Sequence, residues 1–94
     1  MQADELHVIH NAEKKRFEIQ VDSYTAVLAY SLNGHIIIFT HTGVPPELEG
    51  RGIGSLLVKT GMQYAKEHNL KVNSLCWFVS GYIERHPEFQ DLLA

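Results

Sequence analysis

Three glycines at alternate positions, Gly50, Gly52 and Gly54, form the segment of the sequence with the clearest chemical meaning. They join a predicted strand to the start of a predicted helix, where free backbone N–H groups and the positive end of the helix dipole attract an anion. Glycines also let the main chain close around a phosphate group. The segment therefore predicts a phosphate-binding turn, although the same glycines could serve only a tight turn or a close approach of helix and sheet.

Two other phosphate-binding motifs do not fit this spacing. A P-loop has a lysine after its last glycine, whereas Ser55 follows Gly54 in this chain. A dinucleotide-binding fingerprint requires a glycine where Leu57 stands. The sequence therefore supports neither nucleotide hydrolysis nor NAD binding.

Cys76 is the only cysteine, so it cannot form an intramolecular disulfide and is expected as a free thiol. With a lowered pKa, its thiolate could act as a nucleophile or as a base. Cysteine is also among the most buried residue types, and between Leu75 and Trp77 it could simply belong to the core. The sequence leaves these three roles open.

His41 is the best candidate for a general base, because an imidazole titrates near neutral pH and this one lies near the end of a predicted strand. A histidine that is hydrogen-bonded into the sheet is the alternative. His7 and His10 lack the cysteine or carboxylate neighbours of a zinc site, so we predict no metal.

Strands are predicted in the first half of the chain. His7–His10 and Arg16–Val21 are short β-like runs, and Tyr24–Leu32 alternates larger apolar residues at every second position. The dipeptide Asn33-Gly34 predicts a tight hairpin turn to His35–Val44. We therefore expect three strands followed by a fourth that pairs antiparallel with the third.

The apolar run Ile36–Phe39 predicts that this fourth strand is central in the sheet and covered on both faces. After Pro45-Pro46 the apolar spacing becomes helical, with Asn69 as a stop signal. The inner face of this helix is expected to carry Ile53, Leu56, Leu57, Thr60, Tyr64 and His68.

Lys71–Cys76 is predicted to be a strand parallel to His35–Val44, because a helix connects them. A short helix around Ser80–Arg85 and another that begins at Pro87 are expected to follow. Trp77, Phe78 and Phe89 are expected in the core.

Composition limits the class of protein. A chain of 94 residues suits one domain, residues 1–94, and its formal net charge of −3 attracts no nucleic acid. No apolar run approaches the roughly 20 residues of a membrane span, and Met1–Glu5 lacks the apolar core of a signal peptide. We expect a cytoplasmic protein without a membrane or nucleic-acid partner, either a monomer or a weak homodimer.

The segment Val44–Leu57 resembles the central motif of the GNAT superfamily of acyl-CoA-dependent N-acyltransferases, whose pattern is Gln/Arg-x-x-Gly-x-Gly/Ala. Glu49 takes the first position, Gly52 the fourth and Gly54 the sixth. Because Glu49 replaces the usual Gln or Arg, phosphate contacts are expected from main-chain N–H groups, helped by Arg51. The residues that the resemblance implies at the pyrophosphate of acetyl-CoA are Glu49, Gly50, Arg51, Gly52, Ile53, Gly54 and Ser55.

The same resemblance implies that the strands His35–Val44 and Lys71–Cys76 splay apart and hold the pantetheine arm between them. Main-chain groups of Thr42, Gly43 and Val44 would then pair with pantetheine like an added strand. The thioester would lie near Cys76, with His41 beside the reacting carbonyl. Tyr82 and Arg85 follow the second strand and could contact the cofactor.

The resemblance is strongest to small stand-alone members of the superfamily. Larger members have two helices between their first two strands that frame the acceptor, whereas only Asp22-Ser23-Tyr24 separate the corresponding strands here. The implied fold is a minimal GNAT-like α/β (α+β) domain, with a mixed, mostly antiparallel sheet, a central helix after the turn and short C-terminal helices. The implied function is N-acetyl transfer from acetyl-CoA to an unknown primary amine. The alternatives are a CoA-binding module with little or no turnover and an interaction protein that keeps only the fold.

Overall fold

The computed structural model describes residues 6–94, so the N-terminal segment Met1–Glu5 lies outside the described residues. Its centre is a five-stranded sheet in which the strands lie side by side in chain order. The first three strand pairs are antiparallel and the last is parallel, which confirms the mixed, mostly antiparallel sheet. The strands are β1 (Ile9–Asn11), β2 (Arg16–Val21), β3 (Tyr24–Asn33), β4 (Ile36–Gly43) and β5 (Lys71–Ser74).

The predicted hairpin is confirmed. Asn33 pairs with Ile36, and Gly34 has a φ of 60°, the left-handed conformation that a two-residue hairpin turn needs. The prediction for the first strand was wrong at its boundaries. This strand was predicted over His7–His10, but β1 spans Ile9–Asn11, and Asn11 pairs with Arg16 as its last residue.

β4 is an interior strand, between β3 and β5, as its apolar sequence predicts. The expectation that it is covered on both faces was wrong. Ile37 and Phe39 are fully buried under the helical layer, whereas Ile36 and Ile38 on the other face are only half-buried. The run of apolar residues therefore indicated the position of the strand correctly but overstated its burial.

The central helix α1 (Ile53–Glu67) packs on the sheet, but the predicted inner face was rotated from the observed one. Leu56, Thr60 and Tyr64 are only half-buried and His68 is exposed. Small residues take the places closest to the strands, because they let the helix approach them. The buried residues of α1 are Ile53, Gly54, Leu57, Val58, Gly61, Met62 and Ala65.

Asn69 ends the helical segment as predicted, with a φ of 57° in the left-handed region. β5 is shorter than predicted and ends at Ser74. The second helix, α2 (Trp77–Arg85), begins three residues before its predicted start at Ser80, and a 3-10 helix spans Pro87–Leu92. None of the helices described in residues 6–94 combines the length and the apolar character needed to cross a membrane.

Candidate active site

A β-bulge in β4 decides which side chains reach the site. The pairing of β3 with β4 shifts by one residue between Ala29 and Tyr30, which leaves Thr40 without a partner in β3. An extra residue in one strand exchanges the faces on which all later side chains lie. As a result Thr42 lies on the face covered by α1, and His41 lies on the opposite face.

The strands β4 and β5 pair over only part of their length. Their parallel ladder ends where Phe39 pairs with Ser74, followed by one hydrogen bond from the Leu75 N–H to the Phe39 carbonyl (2.9 Å). Beyond this point β4 continues to Gly43, while the segment that follows β5 turns into α2. Within residues 6–94, the edge of Thr40–Gly43 that faces away from β3 pairs with no strand, so it is free to pair with a ligand.

The gap opens into a cleft of about 620 Å³ between the end of β4, the glycine turn and the start of α2. The turn follows a 3-10 helix (Pro46–Leu48) and leads into α1. Gly50 and Gly52 have φ values of 85° and 74°, and a Cβ at either would meet nothing within 4 Å. The two glycines therefore leave open space beside the main chain. Their positive φ values would strain a residue that carries a side chain.

Gly52 is also the N-cap of α1 and provides no side-chain cap. The first N–H groups of the helix thus have no side-chain acceptor in the cap position, which suits an anionic ligand. Gly54 has a different role, because a Cβ there would lie 2.9 Å from Cζ of Phe78. This glycine lets α2 approach α1, as the close-approach interpretation of the pattern expects, whereas the binding of a phosphate by the turn stays a prediction.

Cys76 is buried, with 9% of its surface exposed, and it is the N-cap of α2. Its Sγ lies 3.4 Å from Oγ1 of Thr42, a contact that joins the end of β4 to the start of α2. The Ser74 hydroxyl supports the Cys76 main chain, donating to its carbonyl (2.9 Å) and accepting from its N–H (3.4 Å). The thiol is therefore held in one place at the base of the cleft.

The pKa of the Cys76 thiol is lowered by its surroundings. Burial is the largest single influence and raises the pKa, but it is outweighed by the hydrogen bond from the Thr42 hydroxyl and by backbone N–H groups of Val79, Phe78 and Thr42. No N–H group of α2 makes a capping hydrogen bond to Sγ. These groups therefore lower the pKa of the thiol through the positive end of the helix. This site favours a thiolate more than an ordinary buried cysteine does.

His41 is exposed and lines the cleft, and its imidazole has no hydrogen-bond partner among residues 6–94. The alternative of a histidine hydrogen-bonded into the sheet is therefore not what the structure has. Its ring folds back over Gly43, where a Cβ would lie 3.1 Å from Nε2. Gly43 thus provides the room for the imidazole.

The structure brings most of the predicted site residues together around this cleft. Gly43, Arg51, Tyr82 and Arg85 do not line it; Tyr82 is buried, and it stacks on His86 with ring centroids 3.8 Å apart. The predicted residues that do line it are His41, Thr42, Val44, Glu49, Gly50, Gly52, Ile53, Gly54, Ser55 and Cys76. The assignment of each to a ligand stays a prediction.

Five further residues line the cleft without having been predicted, namely Thr40, Leu48, Leu75, Trp77 and Phe78. The expectation that Trp77 belongs to the core was wrong, because 85% of its surface is exposed. A signal for this was available. If Cys76 is buried in an extended segment, its two neighbours in sequence must point the other way.

These observations agree with a family model that matches residues 16–92, that of GCN5-related N-acetyltransferases. The chain belongs to the GCN5-related N-acetyltransferase family. The NMR solution structure of a GCN5-like protein from Staphylococcus aureus is 30% identical, with a TM-score of 0.73, over 100% of this chain and 91% of that one. This match confirms the GNAT-like fold.

Curated relatives include the protein NATD1 of several vertebrates. Human NATD1 is 31% identical over 85 residues, which cover 87% of this chain and 75% of the human protein. Zebrafish (Danio rerio) NATD1 is 31% identical over 90 residues, covering 93% of this chain and 82% of that protein. The similarity therefore extends over nearly the whole chain.

Proposed function

We propose that this chain is an N-acetyltransferase that moves an acetyl group from acetyl-CoA to a primary amine. The observation that carries the proposal is the single cleft that connects the glycine turn at the start of α1 with Cys76 at the start of α2. An extended ligand with phosphates at one end and a thioester at the other suits these two ends. Membership of the GCN5-related family supports the same reaction.

The main chain would make most of the contacts with CoA. The pyrophosphate would lie against the N–H groups that begin α1, next to Gly50 and Gly52. Glu49 is exposed, so its carboxylate can turn to solvent. The pantetheine arm would pair with the free edge of Thr42 and Gly43, which directs the thioester toward Cys76.

Two routes of transfer fit the residues at this end. In the direct route the amine nitrogen attacks the thioester carbonyl, the C–S bond breaks, CoA leaves as the thiol, and His41 accepts the ammonium proton. In the two-step route the Cys76 thiolate attacks the thioester first, the C–S bond to CoA breaks, and CoA leaves while Cys76 keeps the acetyl group as a new thioester. The amine then attacks this thioester, the C–S bond to Cys76 breaks, and a proton from the amine nitrogen regenerates the thiol. The lowered pKa of Cys76 supports the second route.

The binding half of the proposal is tested by thermal unfolding with acetyl-CoA, CoA and ATP. A ligand that binds only the folded chain raises its apparent stability. Both CoA compounds are expected to raise the unfolding temperature much more than ATP does, because no lysine follows Gly54 to hold a triphosphate. Equal shifts would contradict the CoA assignment.

The transfer half is tested by following CoA release with a panel of amines, and by mass spectrometry of the protein without any amine. In the two-step route acetyl-CoA adds one acetyl group to Cys76, and Cys76→Ala loses both the label and turnover while still binding CoA. In the direct route Cys76→Ala retains most activity, and His41→Ala loses it mainly in kcat. CoA binding with no turnover for any amine would leave a CoA-binding module.

A further inference from the structure

The reacting end of the cleft carries two large apolar side chains that the fold does not bury. Leu75 and Trp77 are 70% and 85% exposed, and they flank Cys76, the buried residue between them. All three line the cleft. Large exposed apolar groups at the mouth of a binding site mark a surface that a ligand covers, because scattered single residues are common but a paired patch in a cleft is not.

Charge narrows the class of ligand. Among the described residues that line the cleft, Glu49 is the only carboxylate, and it belongs to the glycine turn rather than to the Cys76 end. No lysine or arginine is among these lining residues. The reacting end thus offers no partner for the second ammonium group of a polyamine and none for the carboxylate of a free amino acid.

We propose that the acceptor is a primary amine joined by a short linker to an aromatic ring, and that this ring packs on Trp77 and Leu75. This proposal rests on the proposed function, which directs the acetyl group toward Cys76. Leu75 and Trp77 line the same cleft as Cys76, so an amine that binds there lies in the space that they border. The indole offers a flat apolar face, and its edge-on contact with Phe78 (ring centroids 6.0 Å apart) limits its orientation.

The linker is short because the ring and the reacting nitrogen must both fit in one cleft. Trp77 and Cys76 line the same cleft of about 620 Å³, so one small amine can contact the indole and still reach the thioester. The amine nitrogen then forms the C–N bond to the acetyl carbonyl, the C–S bond to CoA breaks, and the released proton passes to His41 and solvent.

Fluorescence tests binding directly, because Trp77 is the only tryptophan in the chain. The protein is first saturated with CoA, which cannot transfer an acetyl group, and is then titrated with 2-phenylethylamine or with butylamine. We expect 2-phenylethylamine to change the tryptophan emission in a saturable way and butylamine to leave it nearly unchanged. No change with the aromatic amine, or equal changes with both, would overturn the proposal.

Kinetics test the same contact in turnover. With acetyl-CoA, the kcat/KM of wild-type protein is expected to be higher for 2-phenylethylamine than for butylamine, and Trp77→Ala to lower this ratio about tenfold. Trp77→Phe should keep most of the preference. The matched control Ile9→Ala removes another exposed apolar side chain (56% exposed), in β1, and should leave the ratio unchanged.

Failure of this proposal can be told apart from failure of the proposed function. If calorimetry detects no CoA binding, both are wrong. If CoA binds and acetyl transfer occurs without an aromatic preference, only the acceptor class is wrong. Sedimentation that shows a dimer, and its dissociation by Trp77→Ala, would also overturn the acceptor proposal. Leu75 and Trp77 would then form an interface between two copies of the chain.

Discussion

At the scale of single residues, the contact between Thr42 and Cys76 links the two arms of the cleft and also changes the chemistry of the thiol. The hydroxyl can donate to a thiolate, while burial opposes the charge. The net result is a lowered pKa, so the reactive form is present at lower pH than for a free cysteine. The bulge at Thr40 is what directs Thr42 toward the sulfur.

Thr42→Val tests this effect, because valine keeps the shape of threonine but lacks the hydroxyl. We expect the pKa of Cys76 to rise, so that the rate of alkylation by iodoacetamide reaches half its maximum at a higher pH than in wild-type protein. Thr60→Val is the matched control, since the Thr60 hydroxyl donates to the Leu56 carbonyl (2.8 Å) within α1. An unchanged midpoint in Thr42→Val would remove the hydroxyl from the explanation.

At the scale of elements, Gly61 sets the distance between α1 and the sheet. A Cβ at Gly61 would lie 2.9 Å from Cε1 of Phe39 and 3.1 Å from Cδ2 of Leu28. Both of these side chains are fully buried. Neither neighbour can move without disturbing the core. The close approach of helix and sheet therefore depends on the missing side chain.

Gly61→Ala is expected to destabilise the protein by about 1 kcal/mol, because overpacking outweighs the better helix propensity of alanine. Gly81→Ala in α2 is the matched control. There the added Cβ meets only Nη1 of Arg85, at 3.3 Å, and that flexible side chain can move. This variant should gain about 0.5 kcal/mol. The free energies of unfolding in urea compare the two, and stabilisation by both would contradict the packing argument.

The elements also differ in how far the sequence predicts them. The hairpin at Asn33-Gly34 and the glycine turn were predictable because each depends on local backbone chemistry. The face of α1 was not, because Tyr64 looks like a core residue, whereas Gly61 and Ala65 are buried through tertiary packing. The bulge leaves no local signal, since Thr40 differs little from a regular strand residue. Because the bulge could not be predicted, the contact of Thr42 with Cys76 could not be predicted either.

At the scale of the whole molecule, an aromatic cluster joins the first strand to the far end of α1. The His10 ring stacks on Phe17 (centroids 4.3 Å apart), meets Tyr64 edge-on (4.6 Å), and its Nε2 lies 2.6 Å from the Tyr30 hydroxyl. His68, one helical turn after Tyr64 at the end of α1, stacks on the Tyr64 ring (centroids 3.9 Å apart). The cluster fixes the edge strand to the helix and includes two imidazole rings.

Burial lowers the pKa of His10 below its ordinary value of 6.5, and the neighbouring His68 lowers it further. The folded protein therefore binds a proton at this ring less readily than the unfolded chain does. Above about pH 7 both states are neutral at His10 and its full contribution to stability is present. As the pH falls below 6.5, the unfolded chain takes up the proton first, so the free energy of unfolding must decrease.

The His10→Gln variant separates this effect from the titration of carboxylates, which also destabilise proteins in acid. We expect the wild-type free energy of unfolding to fall more steeply than that of the variant between about pH 7 and pH 5, as measured by urea unfolding at each pH. His35→Gln, which removes an exposed histidine at the hairpin turn, corrects for the loss of one imidazole. Because His68 contributes through its charge, His68→Gln should reduce the same acid sensitivity without abolishing it. Parallel curves for wild-type and His10→Gln would mean that the ring takes up its proton equally well in the folded and unfolded states.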